Sequence, residues 1–147
     1  MFNKIQTGVI GVGSMGKNHA RIYSDISNFV AVSDPNEELG KKIAKQYNVK
    51  WYKDYRDMLS VVDAVSIVVP TRYHRSVSED VIDAGVHLLV EKPLAGNLID
   101  AKAIVDKVEN TDLILSVGHV ERYNPIITDA KNNITKGNWG NIISIST

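Results

Sequence analysis

The sequence predicts an α/β fold in which a parallel sheet is doubly wound and covered by helices on both faces. Short apolar runs alternate along the chain with stretches in which apolar residues recur at helical spacing. Several of these runs are apolar almost throughout, which is typical of strands in a parallel sheet that is buried on both faces. Because parallel strands are joined by right-handed crossovers, the doubly wound sheet is the leading topology.

Six strands are predicted, each followed by a helix. The strands lie at residues 5–10, 29–33, 49–52, 64–69, 87–90 and 113–117. The apolar faces of the first four helices run from Met15 to Ile26, Leu39 to Tyr47, Tyr55 to Val62 and Val77 to Ala84, the last ending at Gly85. The two remaining helices carry the stripes Leu98, Ala101, Val105, Val108 and Ile126, Ile127, Ala130, Ile134, with an end near Gly137.

The last residues of the chain predict a seventh strand. In residues 140–147 apolar Ile143 and Ile145 alternate with Ser144 and Ser146. Since a lone strand is marginally stable, we expect it to belong to a second domain. Residues 1–123 would then form the first domain. Residues 124–147 would form a connecting helix and the first strand of an α+β domain that continues beyond Thr147.

Composition limits the classes of partner and site. The chain has 147 residues, no net charge at pH 7 and no cysteine. A neutral chain gives no electrostatic reason to expect nucleic acid or an anionic membrane as a partner, and without cysteine there is no disulfide framework or thiolate metal site. No apolar run approaches the roughly 20 residues that span a bilayer, and the N-terminus does not resemble a secretion signal. We expect a soluble, cytoplasmic chain.

Glycines follow the first strand at the spacing of a phosphate-binding loop. Gly11, Gly13 and Gly16, with Ser14 and Met15 between the last two, form a G-x-G-x-x-G that ends a strand and opens a helix. The three glycines would permit, in order, a tight turn, the approach of a pyrophosphate and close packing of the helix. The helix N-terminus offers N–H donors to phosphates. This context predicts a Rossmann domain; the alternative is an ordinary β–α turn.

Asp34 favours NAD over NADP as the cofactor. It ends the second predicted strand, where an acid can accept hydrogen bonds from the adenosine ribose and repel a 2′-phosphate. The adjacent Pro35 and Asn36 offer no arginine to bind such a phosphate. The alternative is that Asp34 caps a helix that has Pro35 at its first position, and Asp34 can do both.

Four stretches resemble the glucose–fructose oxidoreductase/inositol dehydrogenase/MocA family. Residues 11–20, GVGSMGKNHA, are similar to its glycine fingerprint with His19, and residues 69–74, VPTRYH, to its T-P-x-x-x-H segment with Val in place of the first Thr. Glu91-Lys92-Pro93 is similar to its E-K-P, and Gly118-His119 with Arg122 to its G-H-x-x-R. Each stretch lies at the carboxyl end of a predicted strand, where open α/β sheets bind ligands.

The resemblance implies an NAD-dependent dehydrogenase acting on a secondary alcohol of a sugar, nucleotide sugar or cyclitol. It implies that Lys92 is the catalytic residue and contacts both the nicotinamide ribose and the reacting hydroxyl. An ammonium group there would stabilise a developing alkoxide. Further cofactor contacts are expected from Pro70, Thr71, His74, Glu91 and His119. His74 could face the cofactor from the first turn of a helix that Thr71 caps, and the alternative is that it makes no such contact. The alternative for Glu91 and Lys92 is that they form an ordinary exposed pair.

Arg122 and Tyr123 are the expected substrate-binding residues. Their segment is similar to that of members that oxidise the 3-hydroxyl of UDP-linked N-acetylated hexosamines. Asn124 and Pro125 predict a helix cap that would hold both side chains on a fixed loop. Alternatively Tyr123 packs under the loop and Arg122 pairs with Glu121 or Glu91.

The remaining histidines predict no metal site, and two other functions stay open. His19 and His87 are interpreted as structural, and the four histidines have no carboxylate at ligand spacing, so no metal site is predicted. One rival function is a module that senses NAD without catalysis, and another is a 2-hydroxy-acid dehydrogenase. The resemblance implies that the full-length protein is a homo-oligomer. We expect this chain alone to be monomeric and nearly inactive.

Overall fold

A computed structural model describes residues 5–144 as a single parallel sheet with helices on both faces. The strands are β1 (Gln6–Ile10), β2 (Asn28–Ser33), β3 (Lys50–Tyr52), β4 (Ala64–Ile67), β5 (His87–Val90) and β6 (Leu115–Val117). Their order across the sheet is β3-β2-β1-β4-β5-β6, and all pairs are parallel. The predicted doubly wound Rossmann topology is confirmed. The order reverses between β1 and β4, where such sheets open a ligand-binding crevice.

Five α-helices connect the strands or follow the last of them. They are α1 (Gly16–Ile26), α2 (Glu37–Tyr47), α3 (His74–Asp83), α4 (Leu98–Glu109) and α5 (Pro125–Thr135). Short 3-10 helices span Tyr55–Val61, Thr71–Tyr73 and Val120–Tyr123. The helix predicted after the third strand is therefore a 3-10 helix. Thr71 begins another one and does not cap α3, whose first residue is preceded by Tyr73 without a side-chain cap.

The core has two parts, and alternate residues of the central strand point to each. Val9 packs with Val32 and Ile43 in one cluster, whereas Ile10 packs with Ile67 and other residues in the second. This alternation is the ordinary two-residue period of a strand. Both faces of the sheet are thus covered, as the apolar strands predict.

The apolar stripe predicted for α4 is partly wrong. Ile104 and Val108 are buried, but Leu98 is 83% exposed. Leu98 is the first residue of the helix, directly after the Asn97 cap, so it does not share the buried turn. The helix packs through Ile104 and the residue four positions later.

The end of the described chain does not form the predicted seventh strand. Residues 141–144 have irregular backbone, and Gly140 adopts a positive φ of 65°. No neighbouring strand pairs with this segment among residues 5–144, and a strand without a ladder partner is marginal. Ile145 and Ser146, which complete the predicted alternation, lie outside the described residues.

The described residues were compared with the requirements of a membrane-spanning helix and of a metal site. No helix in the range 5–144 is long and apolar enough to cross a membrane. The same range contains no cluster of three His, Asp or Glu side chains arranged to hold a metal ion.

Candidate functional site

A groove of about 1200 Å³ opens at the carboxyl ends of the central strands. Of the predicted cofactor-binding residues, it is lined by Gly11, Gly13, Asp34 and Pro70. The groove lies between the ends of β1, β2 and β4, beside the point where the strand order reverses. This is the crevice that the topology requires.

The glycine loop has the geometry that its sequence predicts. Gly11 has a φ of 87°, and a Cβ there would lie 2.7 Å from the carbonyl oxygen of Val68. A Cβ at Gly16 would overlap the carbonyl oxygen of Gly11, so α1 can begin this close to the loop only with glycine. At Gly13 a Cβ would meet open space. The loop is therefore tight at Gly11 and Gly16 and open to a ligand at Gly13.

The N-terminus of α1 is free to bind an anion. Its first turn contains no acidic residue, and Met15 at the N-cap makes no side-chain cap bond. Ser14 and Met15 are exposed. The amide groups and dipole of this end suit a negatively charged ligand such as a pyrophosphate.

Asp34 joins the glycine loop to the turn after β2. Its Oδ2 accepts the Val12 amide at 2.9 Å and its Oδ1 accepts the Asn36 amide at 2.9 Å, and the residue is 9% exposed. The alternative that Asp34 caps the next helix is wrong, because Asn36 is the N-cap of α2 and accepts the Leu39 amide. Each carboxylate oxygen keeps acceptor capacity for the ribose hydroxyls of a bound dinucleotide.

Sequence reasoning missed part of the groove wall. Residues 53–57 after β3, together with Arg72 and Tyr73, line the groove. The Tyr55 phenol donates to Asp80, and burial together with this bond raises the pKa of Tyr55. The missed signal was the position of β3: it lies beside β2, so its carboxyl end reaches the same edge of the sheet.

His74 faces away from the groove, contrary to its expected contact with the cofactor. The residue is 1% exposed. Its Nδ1 lies 2.9 Å from the carbonyl oxygen of Pro93, and its Nε2 lies 2.9 Å from that of Val69. The ring therefore joins the turn after β4 to the turn after β5, a structural role. Pro70 is exposed at the groove and Thr71 is half-buried.

Glu91 is buried under the sheet edge and does not pair with Lys92. It is 8% exposed, its Oε1 lies 3.0 Å from His19 Nε2, and its Oε2 accepts the Lys92 amide at 3.0 Å. A Cβ at Gly118 would lie 3.0 Å from Oε1. The alternative of an exposed Glu91–Lys92 pair is wrong, because Glu91 is buried and pairs with His19 instead. The cofactor contact of Glu91 stays a prediction.

The other side of the His19 ring continues the buried network. His19 Nδ1 lies 3.0 Å from Ser66 Oγ, and the Ser66 hydroxyl donates to the Tyr23 hydroxyl at 2.7 Å. Burial raises the pKa of Tyr23 above its ordinary value, while the hydrogen bond from Ser66 acts in the opposite direction. The structural interpretation of His19 is thus confirmed. His87 is structural as well, because its Nδ1 accepts the Ile114 amide at 3.1 Å.

The predicted catalytic and substrate-binding side chains lie at the open end of β5 and β6. Lys92, His119, Arg122 and Tyr123 are all exposed, and Tyr123 is 81% exposed. Among residues 5–144, neither Lys92 nor Arg122 forms an ion pair. The alternatives that Tyr123 packs under the loop and that Arg122 pairs with an acid are therefore wrong.

The predicted cap after this loop is confirmed. Asn124 accepts the Ile126 amide at 3.0 Å, and Pro125 occupies the first position of α5. The Asn124 side chain also donates to Glu121 at 2.8 Å. Glu121, one of the two acids considered as a partner of Arg122, is therefore bonded to Asn124. The cap holds the loop while Arg122 and Tyr123 extend into solvent.

Comparisons with known proteins agree with this geometry. Residues 5–119 match an oxidoreductase family with an NAD-binding Rossmann fold, that of glucose–fructose oxidoreductase, inositol dehydrogenase and MocA. The chain is 39% identical over 123 residues to UDP-N-acetylglucosamine 3-dehydrogenase of Acidithiobacillus ferrooxidans, a match that covers 84% of this chain and 39% of that protein.

Two solved structures with ligands are also similar. Scyllo-inositol dehydrogenase from Lactobacillus casei, with bound NAD(H) and scyllo-inositol, has a TM-score of 0.88 at 25% identity and covers 95% of this chain. The WlbA dehydrogenase from Bordetella pertussis, in complex with NADH and UDP-GlcNAcA, has a TM-score of 0.86 at 27% identity and covers 93%. In each case the match covers 43% of the other chain, so this chain spans less than half the length of these relatives.

Proposed function

We propose, since the chain belongs to the glucose–fructose oxidoreductase/inositol dehydrogenase/MocA family of NAD-binding oxidoreductases, that it forms the cofactor-binding half of a dehydrogenase. The reaction would transfer a hydride between a secondary alcohol of a sugar, nucleotide sugar or cyclitol and the nicotinamide. The observation that carries the proposal is the exposed, unpaired Lys92 ammonium at the end of β5, on the same sheet edge as the glycine loop and Asp34.

The described residues fit NAD, the cofactor of this family. In the proposal, the amides at Gly13 and the start of α1 bind the pyrophosphate, and Asp34 binds the adenosine ribose. Pro70, Thr71 and His119 would lie against the nicotinamide half. When it is bound, NAD supplies the hydride acceptor.

Lys92 would act on the hydroxyl group of the substrate. Its ammonium stabilises negative charge as it develops on the hydroxyl oxygen, and its amine form can accept the hydroxyl proton. No described carboxylate pairs with Lys92, so its charge is available to the substrate. His74 and Glu91 would support this edge through their hydrogen bonds to the turns after β4 and β5.

Nucleotide sugars are the substrate class that we favour. Arg122 and Tyr123 extend from a capped loop at the end of β6, where a guanidinium fork suits a carboxylate or phosphate and an aromatic ring suits a sugar face. The likeness to a UDP-N-acetylglucosamine dehydrogenase supports the same choice. The likeness to a scyllo-inositol dehydrogenase supports cyclitols as the alternative.

The test uses the full-length protein that contains this chain. NADH formation is measured with UDP-N-acetylglucosamine, its uronic acid, glucose and inositol as substrates. We expect turnover of a nucleotide sugar and a loss of at least a hundredfold in kcat for Lys92→Ala, with partial activity in Lys92→Arg, which keeps the positive charge. Reaction with the free polyols alone would contradict the nucleotide-sugar assignment. Tight NADH binding without turnover of any substrate would favour an NAD-sensing module instead.

A further inference from the structure

A buried hydrogen-bond network links the cofactor-binding helix to the backbone of Lys92. His19 lies one turn into α1, three residues after Gly16, and its Nε2 is 3.0 Å from Glu91 Oε1. The second oxygen of Glu91 accepts the amide of Lys92 at 3.0 Å. One carboxylate therefore touches both the helix that faces the pyrophosphate and the residue that would face the nicotinamide ribose.

We propose that His19 and Glu91 are positioning residues that fix the direction in which Lys92 leaves strand β5. The inference rests on the proposed function, because it gives the two residues a role through Lys92. It adds that helix α1 and the Glu91-Lys92 stretch are held together by the bond between His19 and Glu91, which are 72 residues apart in the sequence.

The position of Lys92 depends on its backbone. Its side chain is exposed and unpaired, so only the main chain at its root can aim a long, flexible stem. The Glu91 amide donates to the Ile67 carbonyl at 3.0 Å, and the Glu91 carboxylate accepts the next amide. These two bonds hold the peptide on both sides of Glu91 at the point where the strand ends.

The carboxylate is itself held on three sides. His19 bonds one oxygen, the Lys92 amide bonds the other, and the bare Cα of Gly118 lies against the group. The Gly118 amide donates to the Val90 carbonyl at 2.8 Å, which keeps β6 against this site. A buried carboxylate that loses its main partner is costly to keep in place. Without the His19 bond, Glu91 would turn toward water and release the Lys92 amide.

The measurement compares two ligands that share the adenosine end. The family resemblance implies that Lys92 contacts the nicotinamide ribose of NADH, whereas ADP ends at the diphosphate and would not reach Lys92. For Glu91→Ala, which removes both bonds, and for His19→Leu we expect NADH to bind about tenfold more weakly while the affinity for ADP stays within about twofold. Isothermal titration of this chain gives both constants, and an unchanged ADP affinity shows that the variant is folded. His19→Gln keeps an N–H donor toward Glu91, and we expect it to restore most of the NADH affinity.

A double-mutant cycle separates positioning from a merely structural role. If Glu91 acts through Lys92, then Glu91→Ala causes no further loss of NADH affinity in the Lys92→Ala background. Equal weakening of NADH and ADP, or full additivity with Lys92→Ala, would overturn the inference. Failure of the proposed function has a different signature: Lys92→Ala alone would leave the affinity for NADH unchanged.

Discussion

Helices α3 and α5 have similar lengths and amphipathic sequences, but very different surroundings. Helix α3 buries five side chains, including Val77, Val81 and Ile82, against the sheet. Helix α5 buries none, and its Ile126 is 76% exposed. The periodicity of a sequence shows which face of a helix is apolar, and the partner of that face is a separate question. Within residues 5–144, no residue of α5 is buried.

The contrast extends to the site. The groove is walled by loops from four strands, and its acid, Asp34, is fixed by two amides. At the carboxyl ends of β5 and β6, outside the residues that line the groove, Lys92, Arg122 and Tyr123 project into solvent. We infer that the cofactor end is built by this domain alone. The expected substrate-binding side chains are exposed within residues 5–144, and the match to UDP-N-acetylglucosamine 3-dehydrogenase covers 39% of that protein.

The largest expected effect is on the free energy of unfolding, when isoleucine is replaced by alanine in a buried helix and in the exposed helix α5. Ile104 in α4 is 0% exposed, so Ile104→Ala should lower the free energy of unfolding by about 2–5 kcal/mol. Ile126→Ala in α5 removes the same atoms from an exposed site and should change it by less than about 0.5 kcal/mol. Urea denaturation of this chain measures both values. A large loss for Ile126→Ala would mean that α5 is packed in solution, for example in a dimer.

Two glycines of the loop give the next contrast. A methyl group at Gly16 would overlap the Gly11 carbonyl, so Gly16→Ala should destabilise the fold by about 1–3 kcal/mol. Gly13→Ala meets no protein atom, and we expect its stability to match that of the unaltered chain while NADH binding falls. Thermal unfolding and NADH titration of both variants give the comparison. Normal NADH affinity in Gly13→Ala would place the pyrophosphate elsewhere.

The sequence predicted the fold and the cofactor end better than the supports of the catalytic edge. All six strands and the confirmed topology follow from local periodicity and crossover handedness. The roles of Gly11 and Gly16 follow from one short motif. The contacts of Glu91 with His19, and of His74 with Pro93, join residues distant in the sequence. Neither contact leaves a local pattern in the sequence, and the sequence alone therefore shows neither that His74 is buried nor that Glu91 pairs with His19.

The part of the groove wall that follows β3 was not predicted from the sequence for a different reason. Residues 53–57 follow a strand of only three residues. The apolar pattern of so short a strand does not indicate that its carboxyl end contributes to a binding site. The sheet order, once known, places that end beside β2 and brings Lys53 and Arg56 to the groove. The division into residues 1–123 and 124–147 remains a prediction, and the low burial of α5 is the observation that favours it.

The smallest expected effect concerns the choice between NAD and NADP at the adenosine end. We expect NADP to bind at least about tenfold more weakly than NAD, because the Asp34 carboxylate would face the 2′-phosphate. Asp34→Asn keeps one acceptor oxygen for the amides but removes the charge, so it should narrow the difference. Lys53 and Arg72 line the same groove and would attract that phosphate, so Lys53→Ala and Arg72→Ala should widen the difference in the Asp34→Asn background. Both nucleotides are titrated into four chains: the unaltered chain, Asp34→Asn, and Asp34→Asn combined with Lys53→Ala or with Arg72→Ala. Equal affinities for NAD and NADP in the unaltered chain would show that Asp34 does not discriminate between them. If the difference between the two affinities is the same in all four chains, the discrimination between NAD and NADP lies outside this end of the groove.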